Sequence, residues 1–204
     1  MMIVIEGIDG SGKSTASKAL ANKLNLTYLH PAGNTDLFKK FKNDIDNSKQ
    51  AVIPGFIYYS MLNQIAIRSV RDKINSKRET VIFDRFLYSV IAVQTTLDKL
   101  YNNSKNETKL NKFKKIIFEE FPKPNATVFL YVEMKERMKR LLRKNNKENL
   151  LFDKNTNFAI SLQSEFKNLA LELKKSKLNI LEIETTNLGS REVLQKIMDF
   201  LSGY

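Results

Sequence analysis

Met2-Ile3-Val4-Ile5-Glu6-Gly7-Ile8-Asp9-Gly10-Ser11-Gly12-Lys13-Ser14-Thr15 decides the fold. Four apolar residues open it, enough for a buried strand. Gly7-x4-Gly12-Lys13-Ser14 then matches the pattern G-x-x-x-x-G-K-[ST], a phosphate-binding loop. Beyond it Ala16, Leu20 and Leu24 recur at spacing four, with Ala19 and Ala21 beside them, which predicts an amphipathic helix. Strand, glycine loop and helix are the context this motif requires.

The chemistry needs these residue types. Such a loop wraps phosphate oxygens with backbone N–H groups, and side chains would block that approach. Gly7, Gly10 and Gly12 remove the obstruction and permit positive φ. A helix beginning near Lys13 points its positive end at the same phosphates. Lys13 can reach the β- and γ-phosphates of ATP, and the Ser14 hydroxyl can ligate Mg²⁺. Ser11 and Thr15 complete the candidate ATP-binding set on this stretch.

At 204 residues the length fits one domain, 1–204. No run reaches the ~18 apolar residues of a membrane helix, and the start of the chain leads straight into the first strand, so the reading expects neither membrane association nor a leader. The chain has no cysteine, which excludes disulfides and thiolate metal sites; a cytoplasmic location fits. The net charge is +12. Residues 135–147 carry seven Lys or Arg against Glu136, and residues 99–115 carry six lysines against Glu107. With a phosphate loop present, nucleotide steering accounts for this excess better than nucleic-acid binding.

Further along, Thr27–His30 reads as a second strand, closed by Pro31 and a loop at Ala32-Gly33-Asn34. Leu37, Phe38, Phe41 and Ile45 mark a helix, and Asn47–Gln50 a connection. Pro54-Gly55 is expected to precede a long helix running to about Lys77, with Ile57, Met61, Ile65 and Val70 among its apolar positions. Thr80–Phe83 is a strand ending at Asp84-Arg85, and a helix follows to about Tyr101. Another helix runs through Leu110, Phe113 and Ile117 until Pro122 and Pro124. Thr127–Val132 is a continuously apolar strand, as a buried parallel strand should be. Glu136–Arg143 is a basic helix and Asn145–Asn157 a mobile flap, within a lid spanning about 140–158. A long helix carries Phe158, Leu162, Phe166, Leu169 and Leu173. Asn179–Ile183 is the fifth strand, and Val193 to Leu201 the last helix. The alternation argues an α/β fold: a five-stranded parallel sheet covered on both faces.

These motifs resemble the thymidylate kinase family of phosphate-loop kinases. Ile5–Thr15 is close to its E-G-x-D-G-x-G-K-S/T. Asp84-Arg85-Phe86-Leu87-Tyr88-Ser89-Val90-Ile91-Ala92-Val93-Gln94 is similar to D-R-Y-x-x-S-x-x-A-Y-Q. Pro124-Asn125-Ala126-Thr127 is like P-D-L-T, and Ile183-Glu184-Thr185-Thr186 is placed like the I-D-A/T loop beside adenine. The resemblance implies a nucleoside monophosphate kinase fold with a helical lid, ATP and Mg²⁺, a homodimer, and Asp9 on the acceptor sugar hydroxyl. Arg85, at a strand's carboxyl end, is placed to fork onto an acceptor phosphate; Asp84 can orient the Mg²⁺ shell.

The base pocket departs from the family. Where the family has F-S-A-N-R or F-Y-A-A-R, this chain has Tyr59-Ser60-Met61-Leu62-Asn63. Tyr59 can still stack on a base. Asn63 stands where arginine is expected and offers both donor and acceptor. Val93 replaces the tyrosine that crowds the sugar 2′-position. Ser89 and Gln94 complete the acceptor set, and His30 falls in the stretch that holds R-E-P-G-G-T. The resemblance implies a catalytic arginine either after the aspartate of the phosphate loop or in the lid; Gly10 follows Asp9 here, so the lid is expected to supply a cation. Arg140, Arg143, Lys144, Lys147 and Lys154 are the candidates, Arg143 foremost because a planar fork suits a transferring phosphoryl group. Phosphorylation of dTMP is the leading function. The alternatives are another nucleotide or deoxynucleoside kinase and, from a different class, a basic nucleic-acid-associated ATPase; no aromatic-interleaved basic patch favours the last.

Overall fold

The computed structural model describes residues 1–31, 44–45, 48–75, 79–143 and 155–203. Five strands, β1 (Met2–Gly7), β2 (Thr27–Leu29), β3 (Val81–Asp84), β4 (Ala126–Tyr131) and β5 (Ile180–Glu184), form one parallel sheet in the order β2-β3-β1-β4-β5. The described helices are α1 (Lys13–Leu24), α2 (Val52–Ser69), α3 (Arg71–Asn75), α4 (Leu87–Tyr101), α5 (Glu107–Glu120), α6 (Met134–Arg143), α7 (Thr156–Lys175) and α8 (Ser190–Leu201).

The apolar run of β1 has to satisfy both faces of the sheet, because successive side chains point opposite ways. Met2 and Val4 enter a core built with α2, α4, α5 and α7, through Phe56, Leu87, Leu110 and Phe166 among others. Ile3 and Ile5 enter the opposite core with Ala16 and Leu20 of α1 and Val193 and Ile197 of α8. The register pairs Ile5 with Asp84 on one side and with Val128 on the other. The carboxyl ends of β1 and β3 therefore lie side by side, and the phosphate loop and Asp84-Arg85 emerge together.

Several boundaries and faces differ from the sequence reading. The helix expected to run to about Lys77 ends at Ser69, and α3 is a separate short helix after Val70. Pro54-Gly55 does not precede α2 but lies in its first turn. The first four N–H groups of a helix have no partner within it, so a proline there costs no hydrogen bond. Of the apolar positions of α2, Ile57, Met61 and Ile65 are 55%, 40% and 50% exposed, while Val52, Phe56, Leu62 and Ile67 face inward. The helix is apolar on two sides, and periodicity alone does not say which side the sheet takes. On α1, Ala16 and Leu20 are buried as expected, whereas Leu24, at the last position, is exposed. Finally, Asn157 belongs to α7, not to a flap. Asn155 caps that helix by accepting the Phe158 N–H at 3.0 Å.

The loop at Ala32-Gly33-Asn34, the positions Leu37, Phe38 and Phe41, and residues 144–154 lie outside the described residues. Of the expected lid, 140–143 close α6 and 155–158 open α7. Among the described residues no helix is long and apolar enough to cross a membrane.

Candidate active site

Between β1 and α1 the backbone takes φ of +148° at Gly7, +88° at Gly10 and +97° at Gly12, a region that side chains make costly. A Cβ on Gly7 would stand 2.5 Å from the Leu130 carbonyl oxygen, and one on Gly10 2.9 Å from Cγ of Arg137. The loop thus fits tightly against β4 and α6 on one side. On the other, a Cβ at Gly12 would meet nothing within 4 Å.

Lys13, the first residue of α1, is buried and donates to Oδ1 of Asp9 at 2.6 Å. Arg85, in the turn after β3, donates through a terminal guanidinium nitrogen to the same Oδ1 at 2.5 Å. Two cations from neighbouring strand ends therefore converge on one carboxylate oxygen. Burial, with the Arg85 charge next in size, pulls the Lys13 ammonium below its ordinary value, while Asp9 works the other way. Burial also works against the Arg85 guanidinium, but Asp9, Glu6 and Asp84 outweigh it and hold its pKa up. The result is a partly buried cationic pocket that suits phosphate groups.

Asp84 is buried, and its Oδ2 accepts from the Tyr28 hydroxyl at 2.8 Å. His30 Nδ1 lies 2.9 Å from the Asp84 carbonyl oxygen. A carbonyl only accepts, so Nδ1 carries the proton. Asp84 does not pair with Arg85; the arginine reaches Asp9 instead. Oδ1 of Asp84 takes no hydrogen bond among the described residues. A buried carboxylate oxygen left open beside a phosphate loop suits a hard cation. No group of three or more His, Cys, Asp or Glu side chains among the described residues could hold a metal.

The outer side of the loop is gripped by α6 and by the turn after β5. Arg140 donates to the Gly10 carbonyl at 3.4 Å, to Thr185 Oγ1 at 3.0 Å and to the Thr185 carbonyl at 2.6 Å. Thr185 Oγ1 is 3.0 Å from the Ser11 carbonyl oxygen. Arg140 and Thr185 are thus both brought to the loop. Ser14 follows Lys13 on α1 and is half-buried; Thr15 is exposed. Arg143 ends α6 and is exposed, and Lys144, Lys147 and Lys154 lie outside the described residues.

Tyr59 and Asn63 lie on α2, and Ser89, Val93 and Gln94 on α4, which packs against it. Asn63 is buried; its amide donates to the Tyr59 carbonyl at 2.8 Å, and its Oδ1 takes no hydrogen bond among the described residues. Oε1 of buried Gln94 is likewise open. The Gln94 amide lies over Gly55, where a Cβ would come within 2.7 Å of it. A glycine in α2 is what lets that side chain lie between the helices.

Three site residues escaped sequence reasoning. Tyr28 carries no local signal. Arg137 hid in the basic run of α6, yet it is buried and donates from Nε to the Asp9 carbonyl at 2.9 Å; its spacing of three from Arg140 was the available clue. Glu6 was quoted within the motif but given no role. It is fully buried and accepts from the backbone N–H of Phe86 at 2.8 Å and of Ser89 at 3.0 Å, and from the Ser89 hydroxyl. Burial pushes its carboxyl up to about 7, against the pull of Ser89, Arg85 and the Phe86 N–H.

A family profile described as thymidylate kinase matches residues 5–197. The chain belongs to the thymidylate kinase family. Members of this family are nucleotide phosphotransferases. Among its relatives, the probable thymidylate kinase of Methanocaldococcus jannaschii is 28% identical over 209 residues, covering 98% of this chain and 95% of the relative. The thymidylate kinase of Wolbachia pipientis wMel is 25% identical, covering 97% of this chain and all of the relative. Among solved structures, Candida albicans thymidylate kinase superposes with a TM-score of 0.81 at 20% identity, covering 99% of this chain and 91% of that one. A deoxyadenosine kinase from M. mycoides gives 0.74 at 20% identity over the full length of both. At such identities the structural likeness establishes the fold.

Proposed function

We propose that this chain is a single-domain thymidylate kinase of the cytoplasm that transfers the γ-phosphoryl group of ATP to the phosphate of dTMP, giving dTDP and ADP. The observation that carries the proposal is the convergence of Lys13 and Arg85 on Asp9 at adjacent strand ends. An in-line transfer between two anionic phosphates needs cations on both, and catalysis is largely positioning and electrostatics. The phosphate loop, with Ser11, Ser14 and Thr15, takes the ATP phosphates, and Lys13 bridges to the transferring group. Arg85 takes the acceptor phosphate. Asp9 bridges the two cations and turns to the acceptor sugar. Arg140 and Thr185 border the adenine. Ser14 and Asp84 hold Mg²⁺, which supplies charge neutralisation at the phosphates. Arg143 reaches the transferring phosphoryl group from the lid.

Tyr59, Asn63, Ser89, Val93 and Gln94 line the acceptor side. Asn63 and Val93 support a second reading, a related nucleotide or deoxynucleoside kinase with a broader pocket. A coupled ADP-release assay over a panel of nucleosides and monophosphates separates the two: the best rate on dTMP is expected, and a best rate on a free nucleoside would remove the monophosphate assignment.

Position 93 is expected to govern the sugar. Stacking on Tyr59 tolerates many bases, so discrimination rests on edge contacts and steric limits. Valine leaves room that a tyrosine would fill. The natural protein should accept dTMP and reject UMP weakly. Val93→Tyr should lower kcat/KM for UMP by on the order of tenfold or more while sparing dTMP, a size typical of a steric pocket change. Strong rejection of UMP by the natural protein, with no change in the variant, would show that position 93 does not face the sugar.

The exposed apolar stripe Ile57, Met61 and Ile65 along α2 supports a homodimer, since a second copy could cover it by a two-fold. Sedimentation at micromolar concentration should give a dimer, and Met61→Glu should shift it toward monomer. A monomeric natural protein would refute this assembly.

A further inference from the structure

The turn that carries Arg85 is short and strained. Only Arg85 and Phe86 separate β3 from α4, and Arg85 sits at φ +75°, a conformation that non-glycine residues hold only when their surroundings enforce it. The Arg85 N–H donates to the Ile5 carbonyl at 3.1 Å, which fixes one end of the turn. At the other end a local backbone bond runs from the Ser89 N–H to the Phe86 carbonyl at 3.1 Å. Phe86 is the N-cap of α4 and has no side-chain acceptor, and the first turn of the helix contains no acidic residue. The unpaired N–H groups that begin a helix need an acceptor when they are buried.

That acceptor comes from β1. Because Ile5 is in register with Asp84, Glu6 stands beside the turn, and its carboxylate takes the N–H groups of Phe86 and Ser89 together with the Ser89 hydroxyl. The Ser89 oxygen lies 3.5 Å from a terminal guanidinium nitrogen of Arg85. One carboxylate thus caps α4 and backs the arginine.

We infer that Glu6 is a positioning residue for phosphoryl transfer: it holds the strained Arg85 turn against the phosphate-loop strand, so that the acceptor-side cation keeps a fixed distance from Lys13. This rests on the reading of Arg85 as the acceptor-phosphate ligand. It links the two substrate subsites through the sheet, without any contact between Glu6 and substrate.

Glu6→Gln keeps the volume but replaces one acceptor oxygen with an NH₂ group facing donors. In steady-state kinetics it should raise the acceptor KM by about tenfold while the ATP KM stays within about twofold, a split that simple destabilisation would not produce. Introduced into Arg85→Ala, the same change should cost little more, because the residue it positions is gone. Ser89→Ala, which leaves both backbone contacts, should give a smaller rise in acceptor KM and carries the test if Glu6→Gln does not fold. Equal effects on both substrates, or losses that multiply fully in the double variant, would overturn the inference. A normal acceptor KM in Arg85→Ala would overturn the assignment of Arg85, and this inference with it. A raised KM there beside unchanged values in both Glu6→Gln and Ser89→Ala would overturn this inference alone.

Discussion

Lys13→Ala is expected to lose about 10²–10³-fold in kcat, the size of effect seen when one preorganised transition-state donor is removed. At ~1.4 kcal/mol per decade, that is roughly 3–4 kcal/mol of lost stabilisation. The ammonium is buried at the head of α1 and already faces a carboxylate oxygen, so it is held in place before substrate arrives and needs little reorganisation when charge develops. The fold should survive the change. Asp9 keeps Arg85 as its partner, and alanine is a good residue in the first turn of a helix. Circular dichroism and melting temperature close to the natural protein, beside collapsed ADP release, would be the supporting pattern. Near-normal turnover in this variant would remove the phosphate-loop mechanism altogether.

The sheet was legible in the sequence because its central strands β1, β3 and β4 are buried on both faces, which leaves continuous apolar runs such as Thr127–Val132 bounded by Pro124 and by the charged start of α6. The phosphate loop was legible because its constraints are local: glycines, one lysine and one hydroxyl at fixed spacing. Asp84-Arg85 could be placed because a strand end is itself a local signal. What stayed hidden depends on pairs distant in the chain. Glu6 meets Ser89 across 83 positions, Tyr28 meets Asp84 across 56, and Arg137 meets Asp9 across 128. Glu6, Asp9, Asp84 and Ser89 stand in motifs, but a motif does not name the distant partner that each residue meets. The exposure of Ile57, Met61 and Ile65 stayed hidden for a different reason. An amphipathic pattern reports that a face is apolar, and on α2 two faces are, so only packing against α4 and the sheet decides between them.

Arg85→Ala should separate the two substrates. Its guanidinium reaches Asp9 from the end of β3, on the side of the loop away from the Arg140 and Thr185 contacts with Gly10 and Ser11. In the proposed assignment the ATP phosphates are met by loop N–H groups, Lys13 and the start of α1, none of which the substitution removes. The acceptor phosphate loses a charge-assisted, forked contact in a partly buried pocket, where truncating one partner of such a pair costs about 2–5 kcal/mol. The acceptor kcat/KM should therefore fall by roughly 10²–10³-fold, while ATP affinity, read by fluorescent-nucleotide displacement, changes only a few-fold. Arg85→Lys should recover little of the loss, because an ammonium restores the charge but not the fork. The variant also relieves the non-glycine residue at positive φ of its long side chain without relieving the backbone, so no gain in stability is expected to mask the kinetic effect. If ATP affinity collapses and acceptor affinity does not, the two phosphate subsites are reversed: Arg85 would then belong to the donor side, and the acceptor phosphate would have to meet the cations of α6 instead.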